Sequence, residues 1–291
     1  MITVIVPFYN AQETIRPLLD GLRQQTFVEQ YEVILVDNLS TDSTISIINS
    51  FQHEYPDFPL SVLEYRQQSS SYGARNKGVQ HAKGDIFAFT DADCRPTARW
   101  LESIASFFKL NSNAIMSGAV ELEIVDETNP WEVFDSLAHM DNLRNTSRAH
   151  IATANMAVLA KDFRDIGEFQ SVLSGGDHDW SKRAKVQNFS IFFSADALVL
   201  HPTRKQMEEI EKKLIRIAKG QGQLVKMQSG GRKVAIVRFL LRTVLPARHL
   251  WYGFHVSKRI GIFRSLDFVR KYFKISLRQC IVFVHECRKS D

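Results

Sequence analysis

The stretch from Lys83 to Pro96, KGDIFAFTDADCRP, constrains the fold most, because it joins a short apolar strand directly to two aspartates. Residues 86–89 form an unbroken apolar run, which is typical of a strand buried on both faces of a parallel sheet. In open α/β sheets, ligands bind outside the carboxyl ends of the strands. Asp91 and Asp93 are therefore predicted to meet a ligand together with a hard cation, Mg²⁺ or Mn²⁺. A turn that caps the next helix is the alternative interpretation.

The chain before this stretch alternates short apolar runs with segments of helical periodicity. Three earlier strands are predicted at residues 2–6, 33–36 and 60–65, and residues 71–81 are predicted as a glycine-containing turn and short helix. This alternation predicts an α/β fold in which helices flank a mostly parallel central sheet. Asp37 follows the second strand, where such folds commonly bind a ribose or a base, although a helix-capping aspartate is equally compatible. Neither GxGxxG nor GxxxxGK[ST] follows the first strand, so an NAD site or a P-loop has no support.

Charge is distributed unevenly along the chain. Residues 1–202 carry 16 Lys and Arg against 26 Asp and Glu, whereas residues 203–291 carry 21 against 6. A basic, aromatic-rich C-terminal segment indicates a polyanionic partner, either a membrane surface or nucleic acid. Nucleic acid is disfavoured, because no helix-turn-helix, RRM or zinc-finger pattern accompanies the charge. The three cysteines show no CxxC spacing and indicate neither a disulfide framework nor a zinc site, which fits a reducing cytosol.

The basic segment is predicted to be helical. Met207, Ile210, Leu214 and Ile217 recur at helical spacing, and glycines at 220, 222, 230 and 231 predict a flexible break. From Arg232 onward, apolar and aromatic residues alternate with Arg and Lys, as in helices that lie in a membrane interface. The alternative is a helical subdomain that packs on the main domain or on a second subunit. No uncharged apolar run reaches the roughly 18 residues of a transmembrane helix, so we expect a cytoplasmic protein, or one peripheral at the inner face of the membrane.

Four motifs carry a resemblance to a known family. VIVPFYN, VILVDNLSTDST, YGARNKG and GDIFAFTDADC, in this order and spacing, resemble the nucleotide-sugar-binding half of a family 2 glycosyltransferase with the A-type (GT-A) fold. The resemblance runs from Ile2 to about Pro202. It implies transfer of a sugar from a nucleoside diphosphate sugar to an acceptor hydroxyl. We therefore expect a catalytic domain at residues 1–205. The basic amphipathic helical extension expected at residues 206–291 lies outside the resemblance.

The resemblance implies a donor site and a metal site. In the family, the aspartate that matches Asp37 holds the base, and the first acidic residue of the DxD motif, which matches Asp91, faces the ribose. The last acidic residue of that motif, which matches Asp93, binds a divalent metal, Mn²⁺ or Mg²⁺. The nucleotide pocket would further be lined by the backbone around Pro7, Phe8 and Tyr9, with Arg75 near the diphosphate.

The segment Ser174 to Arg183, SGGDHDWSKR, is expected to supply the general base. Asp177 matches the family's basic aspartate, but Gly176 stands where the family pattern has glutamate. A general base must lie within about 2.6–3.2 Å of the proton that it removes. Asp179 is expected to cap the helix, and capping alone is the alternative interpretation for both aspartates.

Two further residues are candidates on the same resemblance. Asn155 follows a small-residue loop and is a candidate for contact with donor or acceptor; a turn asparagine bonded to its own backbone is the alternative. His201 ends the apolar run 197–200, where the family often places a third metal ligand, although a lone histidine after a strand is commonly structural. Arg204 and Lys205 follow and could neutralise a leaving diphosphate.

The implied reaction is a single in-line displacement that inverts the anomeric centre, as is typical of the family. The QxxRW signature of processive synthases is absent after His201, which favours single addition, in cell-surface glycan or glycolipid assembly. A UDP-sugar donor and a saccharide or lipid-linked acceptor are expected. The alternatives are a nucleotidyltransferase, which would normally carry a glycine-rich basic loop after the first strand, and a non-catalytic nucleotide-sugar-binding or membrane-surface scaffold protein. Turnover that is lost in Asp177→Ala distinguishes an enzyme from a scaffold.

Overall fold

The computed structural model describes residues 1–67, 70–138, 142–147, 150–227 and 230–289, without the side chain of residue 144. The chain divides into two compact units. The first, which we call the sheet unit, comprises Met1–Leu122, Met140–Ser171 and Gly176–Pro202. The second, the helical unit, comprises Glu123–His139, Val172–Gly175 and Thr203–Asp291. The expected division of the chain between residues 205 and 206 stays a prediction.

The N-terminal half of the sheet unit alternates strands and helices, as the sequence predicts. Its strands pair in the order β3-β2-β1-β4, and every one of these pairings is parallel. All seven residues of β1 are buried, which explains why its sequence is apolar without alternation. The elements are β1 (Ile2–Phe8), α1 (Ile15–Arg23), β2 (Tyr31–Asp37), α2 (Thr44–Glu54), β3 (Leu60–Glu64), α3 (Ser71–His81) and β4 (Ile86–Thr90).

The remaining strands of the sheet unit include three antiparallel pairings. In the described part of the chain, eight strands form one sheet, in which β4 is followed by β7, β6, β8 and β5. The pairings of β7 with β4, of β6 with β7 and of β5 with β8 are antiparallel. These elements are β5 (Arg95–Pro96), α4 (Trp100–Leu110), β6 (Ala114–Glu123), α6 (Asn142–Thr146), β7 (Asn155–Leu159), α7 (Ala160–Ile166), α8 (Gly176–Val186) and β8 (Ser190–Pro202).

Helices on the sheet unit bury aromatic side chains against β4. Phe87 and Phe89 are fully buried and contact Phe163 of α7, which stacks on Trp180 of α8. Burial of side chains of this size contributes about 1.5–3 kcal/mol each. This layer fixes α8, and with it the residues of its first turn, on the sheet.

The helical unit has its own apolar core, which confirms the predicted C-terminal helical extension. Its elements are α5 (Pro130–Ala138), α9 (Met207–Met227), α10 (Arg232–Val244), α11 (Pro246–Ile260) and α12 (Ile262–Arg288). Trp131, Phe134, Leu214, Phe268 and Tyr272 pack together in this core. No helix among the described residues combines the length and apolarity that a membrane span requires.

The predicted break at Gly220 and Gly222 is wrong, because α9 continues through both glycines to Met227. A Cβ atom at Gly222 would lie 2.7 Å from the Cβ of Glu286 on α12. Glycine is therefore required there for two helices to approach closely, and not for a turn. The second pair of glycines does separate two helices: Gly230 and Gly231 have φ angles of +120° and +71° and precede α10.

Candidate active site

The carboxyl ends of three parallel strands meet at one edge of the sheet. The register places Phe8 beside Asp37, while Ile5 pairs with Phe89 of β4. Pro7 and Phe8 are buried, and Tyr9 just beyond them is 57% exposed. Asp37 is partly buried, and its Oδ1 accepts a hydrogen bond of 3.0 Å from the backbone N–H of Ser40. The edge thus presents Pro7, Phe8, Tyr9 and Asp37 together.

Asp91, directly after β4, forms an ion pair with Arg75 of α3. The Arg75 side chain is only 3% exposed, whereas that of Asp91 is 28% exposed. Helix α3 begins after Ser70, whose hydroxyl accepts a hydrogen bond from the backbone N–H of Gly73. This cap helps to fix the first turn of α3, and Arg75 on the next turn is held against the DxD segment.

Asp93 and His201 are adjacent because β5 and β8 pair in antiparallel register. Arg95 lies opposite Leu200, so the same register extended by one residue brings Cys94 level with His201 and Asp93 next to it. Nε2 of His201 lies 3.3 Å from Oδ2 of Asp93, and His201 is nearly fully buried. Its Nδ1 lies 2.6 Å from the carbonyl oxygen of Pro202. A carbonyl only accepts, so Nδ1 carries a proton and donates to Pro202, while Nε2 faces the carboxylate of Asp93.

Two acceptor atoms at 3.3 Å require a proton or a metal cation between them. The carboxylate and imidazole of this pair therefore fit a divalent cation, since both are ordinary metal ligands and the Nδ1 hydrogen bond fixes the ligating tautomer. The thiol of Cys94 lies within 4.8 Å of both groups, although Cys94 was not among the predicted metal ligands. Burial raises the pKa of this thiol well above its usual value. Mg²⁺ and Mn²⁺ prefer oxygen ligands, so Cys94 fits such an ion poorly.

Asp177 lies in the first turn of α8 and is held from two sides. Its Oδ1 accepts hydrogen bonds of 2.9 Å from the hydroxyl of Tyr72 and of 2.8 Å from the backbone N–H of His178. Burial raises the pKa of this carboxyl above its usual value, while the hydrogen bond from Tyr72 and the charge of Arg75 oppose the rise. A carboxylate with a raised pKa is a better proton acceptor near neutral pH. Tyr72 was not among the sequence-based candidates, because no local pattern links it to Asp177.

Asn155 has a structural role instead of the expected ligand contact. The side chain is fully buried at the start of β7. Its Oδ1 accepts a hydrogen bond of 2.9 Å from the indole N–H of Trp100, and its Nδ2 donates bonds of 2.7 Å to the carbonyl oxygens of Ala119 and Ala197. Because its amide is engaged within the protein and shielded from solvent, we remove Asn155 from the candidate ligand contacts.

The other charged candidates have internal partners. Asp179 pairs with Arg183 one turn later on α8 at 3.1 Å, and its expected role as a helix cap stays a prediction. Arg204 belongs to the helical unit, where its Nη1 lies 3.1 Å from the fully buried carboxylate of Asp135. The structure therefore assigns Arg204 an ion pair within that unit, in place of the expected contact with a leaving diphosphate.

Comparison with known proteins identifies related sequences. The family model described as Glycosyl transferase family 2 matches residues 3–167. Glycosyltransferase AglE of Haloferax volcanii is 34% identical over 250 residues, which cover 84% of this chain and 81% of AglE. The poly(ribitol-phosphate) beta-N-acetylglucosaminyltransferase TarS of Staphylococcus aureus is 33% identical over 107 residues, which cover 36% of this chain and 18% of TarS.

Solved structures resemble the chain over nearly its whole length. The mannosyltransferase PcManGT from Pyrobaculum calidifontis, in complex with GDP-Man and Mn²⁺, aligns with a TM-score of 0.63 and 17% identity, over 98% of this chain and 86% of PcManGT. Staphylococcus aureus TarS 1–349, in complex with UDP-GlcNAc, aligns with a TM-score of 0.55 and 18% identity, over 99% of this chain and 89% of that one. At these identities, the likeness establishes the GT-A fold.

Proposed function

The chain belongs to glycosyltransferase family 2, and from this membership we propose that it transfers a sugar from a nucleoside diphosphate sugar to an acceptor hydroxyl. One observation supports the proposal most directly. Asp91 pairs with Arg75, Arg75 lies against the ring of Tyr72, and Tyr72 donates a hydrogen bond to Asp177. This chain of contacts connects Asp91 of the DxD motif to the partly exposed carboxylate of Asp177. A reaction between two bound substrates requires that the groups which hold them keep fixed relative positions.

The proposed donor site lies at the carboxyl edge of the parallel strands. Asp37 would bind the base and Asp91 the ribose, with Arg75 near the diphosphate. The neighbours crystallised with GDP-Man and with UDP-GlcNAc support a nucleotide-sugar donor for this chain, and we favour a UDP-sugar. The backbone around Pro7, Phe8 and Tyr9 would line the nucleotide pocket.

Asp93 and His201 are the proposed ligands of a divalent metal, Mn²⁺ or Mg²⁺. The 3.3 Å approach of Nε2 to Oδ2 supports this assignment, as does the Mn²⁺ found in the PcManGT complex. A divalent cation held there would neutralise negative charge on the departing nucleoside diphosphate. His201 would contribute its Nε2 lone pair, because its Nδ1–H is engaged by the carbonyl oxygen of Pro202.

Asp177 is the proposed general base. Its carboxylate would remove the proton of the acceptor hydroxyl as that oxygen attacks the anomeric carbon, in one displacement that inverts the centre. The burial that raises the pKa of Asp177 supports this role, because it strengthens the carboxylate as a proton acceptor. We propose a non-processive reaction on a saccharide or lipid-linked acceptor, in cell-surface glycan or glycolipid assembly.

The helical unit supports a location at a membrane surface. Residues 232–289 contain 14 Lys and Arg against 2 Asp and Glu. Each of α10, α11 and α12 also exposes large apolar side chains at helical spacing: Val234, Val237, Leu241, Leu250, Trp251, Phe254, Ile262, Leu266, Phe273, Leu277 and Ile281. Exposed apolar and basic residues on packed helices fit the interface of an anionic membrane. We propose peripheral association of a cytoplasmic protein with the inner face of such a membrane.

A thermal-shift screen tests the donor proposal. Purified protein would be heated with UDP-, GDP-, CDP- and dTDP-sugars, each with and without Mn²⁺. A ligand at 100 times its dissociation constant adds about 2.7 kcal/mol to the free energy of unfolding, which is readily measured. We expect metal-dependent stabilisation by one class of nucleotide sugar. The absence of a shift with every donor would contradict the proposal and favour a scaffold function.

A further inference from the structure

Tyr72 lies against Gly176, the residue that precedes the proposed base. A Cβ atom built on Gly176 would lie 2.8 Å from the Cγ and Cδ2 atoms of Tyr72, and 2.9 Å from the backbone oxygen of Gln170. Real Cβ atoms essentially never approach other atoms so closely, and the backbone oxygen of Gln170 has little freedom to retreat. The ring of Tyr72 therefore fills the space that a side chain at position 176 would need. This packing explains the glycine at that position.

The position of the Tyr72 ring is itself closely determined. Tyr72 is 6% exposed, and its ring centroid lies 5.8 Å from that of Phe169. Helix α3 is fixed to the same segment by Asn76, whose side-chain amide donates to the carbonyl oxygen of Phe169 at 2.8 Å and accepts from its N–H at 3.0 Å. Packing thus fixes the ring of Tyr72, and the fixed ring holds its hydroxyl in place against Asp177.

Tyr72 and Arg75 lie one turn apart on α3, where residues at i and i+3 share a face. The guanidinium carbon of Arg75 is 5.4 Å from the centroid of the Tyr72 ring. Arg75 holds Asp91, and Tyr72 holds Asp177. A single turn of α3 therefore fixes the position of the aspartate that follows β4 relative to the aspartate that begins α8.

We propose that Tyr72 is a positioning residue for Asp177, which orients the carboxylate through its hydroxyl and relates it to the donor side through Arg75. The inference rests on the proposed function, since it assigns Tyr72 a role in the same reaction. The hydroxyl of Tyr72 and the backbone N–H of His178 both donate to Oδ1, so these two contacts orient the carboxylate. Tyr72 itself transfers no proton, because burial raises its pKa far above the neutral range.

The competing explanation is that Tyr72 only fills space in the core. Tyr72→Phe separates the two, because it keeps the ring against Gly176 and removes only the hydroxyl. Tyr31→Phe is the matched control: the hydroxyl of Tyr31 donates to the carbonyl oxygen of Leu22 at 3.2 Å in the same unit, remote from the proposed base in sequence and in its contacts. Gly176→Ala supplies a second perturbation, because the added methyl must displace the ring while the hydroxyl is retained.

The measurement is the titration of the Asp177 carboxyl by carbon-13 NMR in the full chain labelled at aspartate. The resonance is assigned by its loss in Asp177→Asn. The charged and titratable groups next to this carboxylate are Tyr72 and Arg75 on α3 and His178 on its own helix, and the ring centroid of His150 lies 3.6 Å from that of His178. Histidine titration is followed in the same samples, so that its effect on the aspartate signal is separated.

We expect the pKa of Asp177 to rise in Tyr72→Phe, because the hydroxyl stabilises the ionised carboxylate. It should also change in Gly176→Ala and stay at the wild-type value in Tyr31→Phe. An unchanged pKa in Tyr72→Phe, or equal changes in both tyrosine variants, would overturn the inference. Because no donor or acceptor is present, this outcome is independent of the thermal-shift screen, and the two proposals fail separately.

Discussion

The hydroxyl of Tyr72 donates a 2.9 Å hydrogen bond to Oδ1 of Asp177 across 105 residues of sequence. Tyr72 belongs to the helix that precedes β4, and Asp177 belongs to the helix that precedes β8. The bond connects the two halves of the sheet unit, one built of parallel strands and the other of antiparallel strands. The proposed base is therefore positioned by the part of the chain that carries the proposed donor site.

Asp177→Asn should abolish most transfer while leaving donor binding intact. An amide cannot accept the acceptor proton, and a positioned general base contributes about 10²–10⁴-fold to the rate. The measurement is kcat for release of the nucleoside diphosphate from the donor that stabilises the protein, beside the thermal shift caused by that donor. Asp179→Asn is the control, since Asp179 lies in the first turn of the same helix but pairs with Arg183. Comparable losses in both variants would contradict the assignment of the base.

Removal of either proposed metal ligand should abolish the effect of Mn²⁺ on donor binding. In Asp93→Asn and His201→Gln, we expect the Mn²⁺-dependent part of the thermal shift to disappear, because a carboxylate and an imidazole that face each other at 3.3 Å are replaced by weaker ligands. Cys94→Ser is the comparison, because its buried thiol is a poor ligand for a hard cation. A full Mn²⁺ response in His201→Gln would show that His201 is structural.

Asn155→Ala should destabilise the protein without weakening donor binding. The substitution leaves the indole N–H of Trp100 and the carbonyl oxygens of Ala119 and Ala197 without the bonds that Asn155 supplies. Each buried polar group left unsatisfied costs about 1–3 kcal/mol, so we expect a loss of about 3 kcal/mol or more in the free energy of unfolding. Urea denaturation measures this loss. Asn111→Ala, which removes a single bond to the carbonyl oxygen of Phe107, should cost far less.

The titration of Lys213 should raise the free energy of unfolding as the pH rises above neutrality. Its ammonium lies 3.2 Å from Asp135, which also pairs with Arg204. Burial, reinforced by the charge of Arg204, lowers the pKa of Lys213 from its usual 10.5 to about 7. Between these values the unfolded chain binds a proton that the folded chain does not, so the free energy of unfolding rises with pH.

Lys213→Met provides the test, because it keeps an unbranched apolar side chain at the site. Urea denaturation between pH 7 and pH 10 should show a difference between wild type and variant that moves in favour of the wild type as the pH rises. A difference that is constant over this range would mean that Lys213 titrates at its ordinary pKa. Asp135→Asn should be the more damaging change, because it leaves two cations in a buried site without their counter-ion, at about 3–5 kcal/mol.

The helical unit should bind vesicles that contain anionic phospholipid and should not bind neutral phosphatidylcholine vesicles. Sedimentation of the full chain with vesicles measures this binding, which added salt should weaken as the Debye length falls from about 10 Å at 0.1 M. Trp251→Glu on α11 and Phe263→Glu on α12 replace exposed apolar side chains by charged ones and should reduce binding. Val28→Glu, at a position 97% exposed on the sheet unit, is the control. Equal losses in all three variants, or binding to neutral vesicles alone, would contradict the membrane proposal.

Local sequence patterns were sufficient for the parallel half of the sheet. Its four strands lie at the predicted apolar runs, and the segment predicted as a turn and short helix, residues 71–81, is helical throughout. The antiparallel strands were not predicted, since an apolar run does not indicate whether the strands beside it are parallel or antiparallel to it. The glycines of α9 were interpreted as a break for a similar reason: the close helix approach that requires Gly222 involves Glu286, far along the chain.

The sequence by itself determined the α/β class, the positions of the first four strands along the chain and the two aspartates that follow β4. These features depend on the periodicity of apolar residues and on which residues end a strand. Only the tertiary structure decided which polar side chains meet. It brought Tyr72 to Asp177 and enclosed Asn155 in hydrogen bonds within the sheet. The proximity of His201 to Asp93 agrees with what the family resemblance implied. Such contacts depend on strand register and on helix packing between segments far apart in the chain. The residues next to each side chain in the sequence therefore do not predict them.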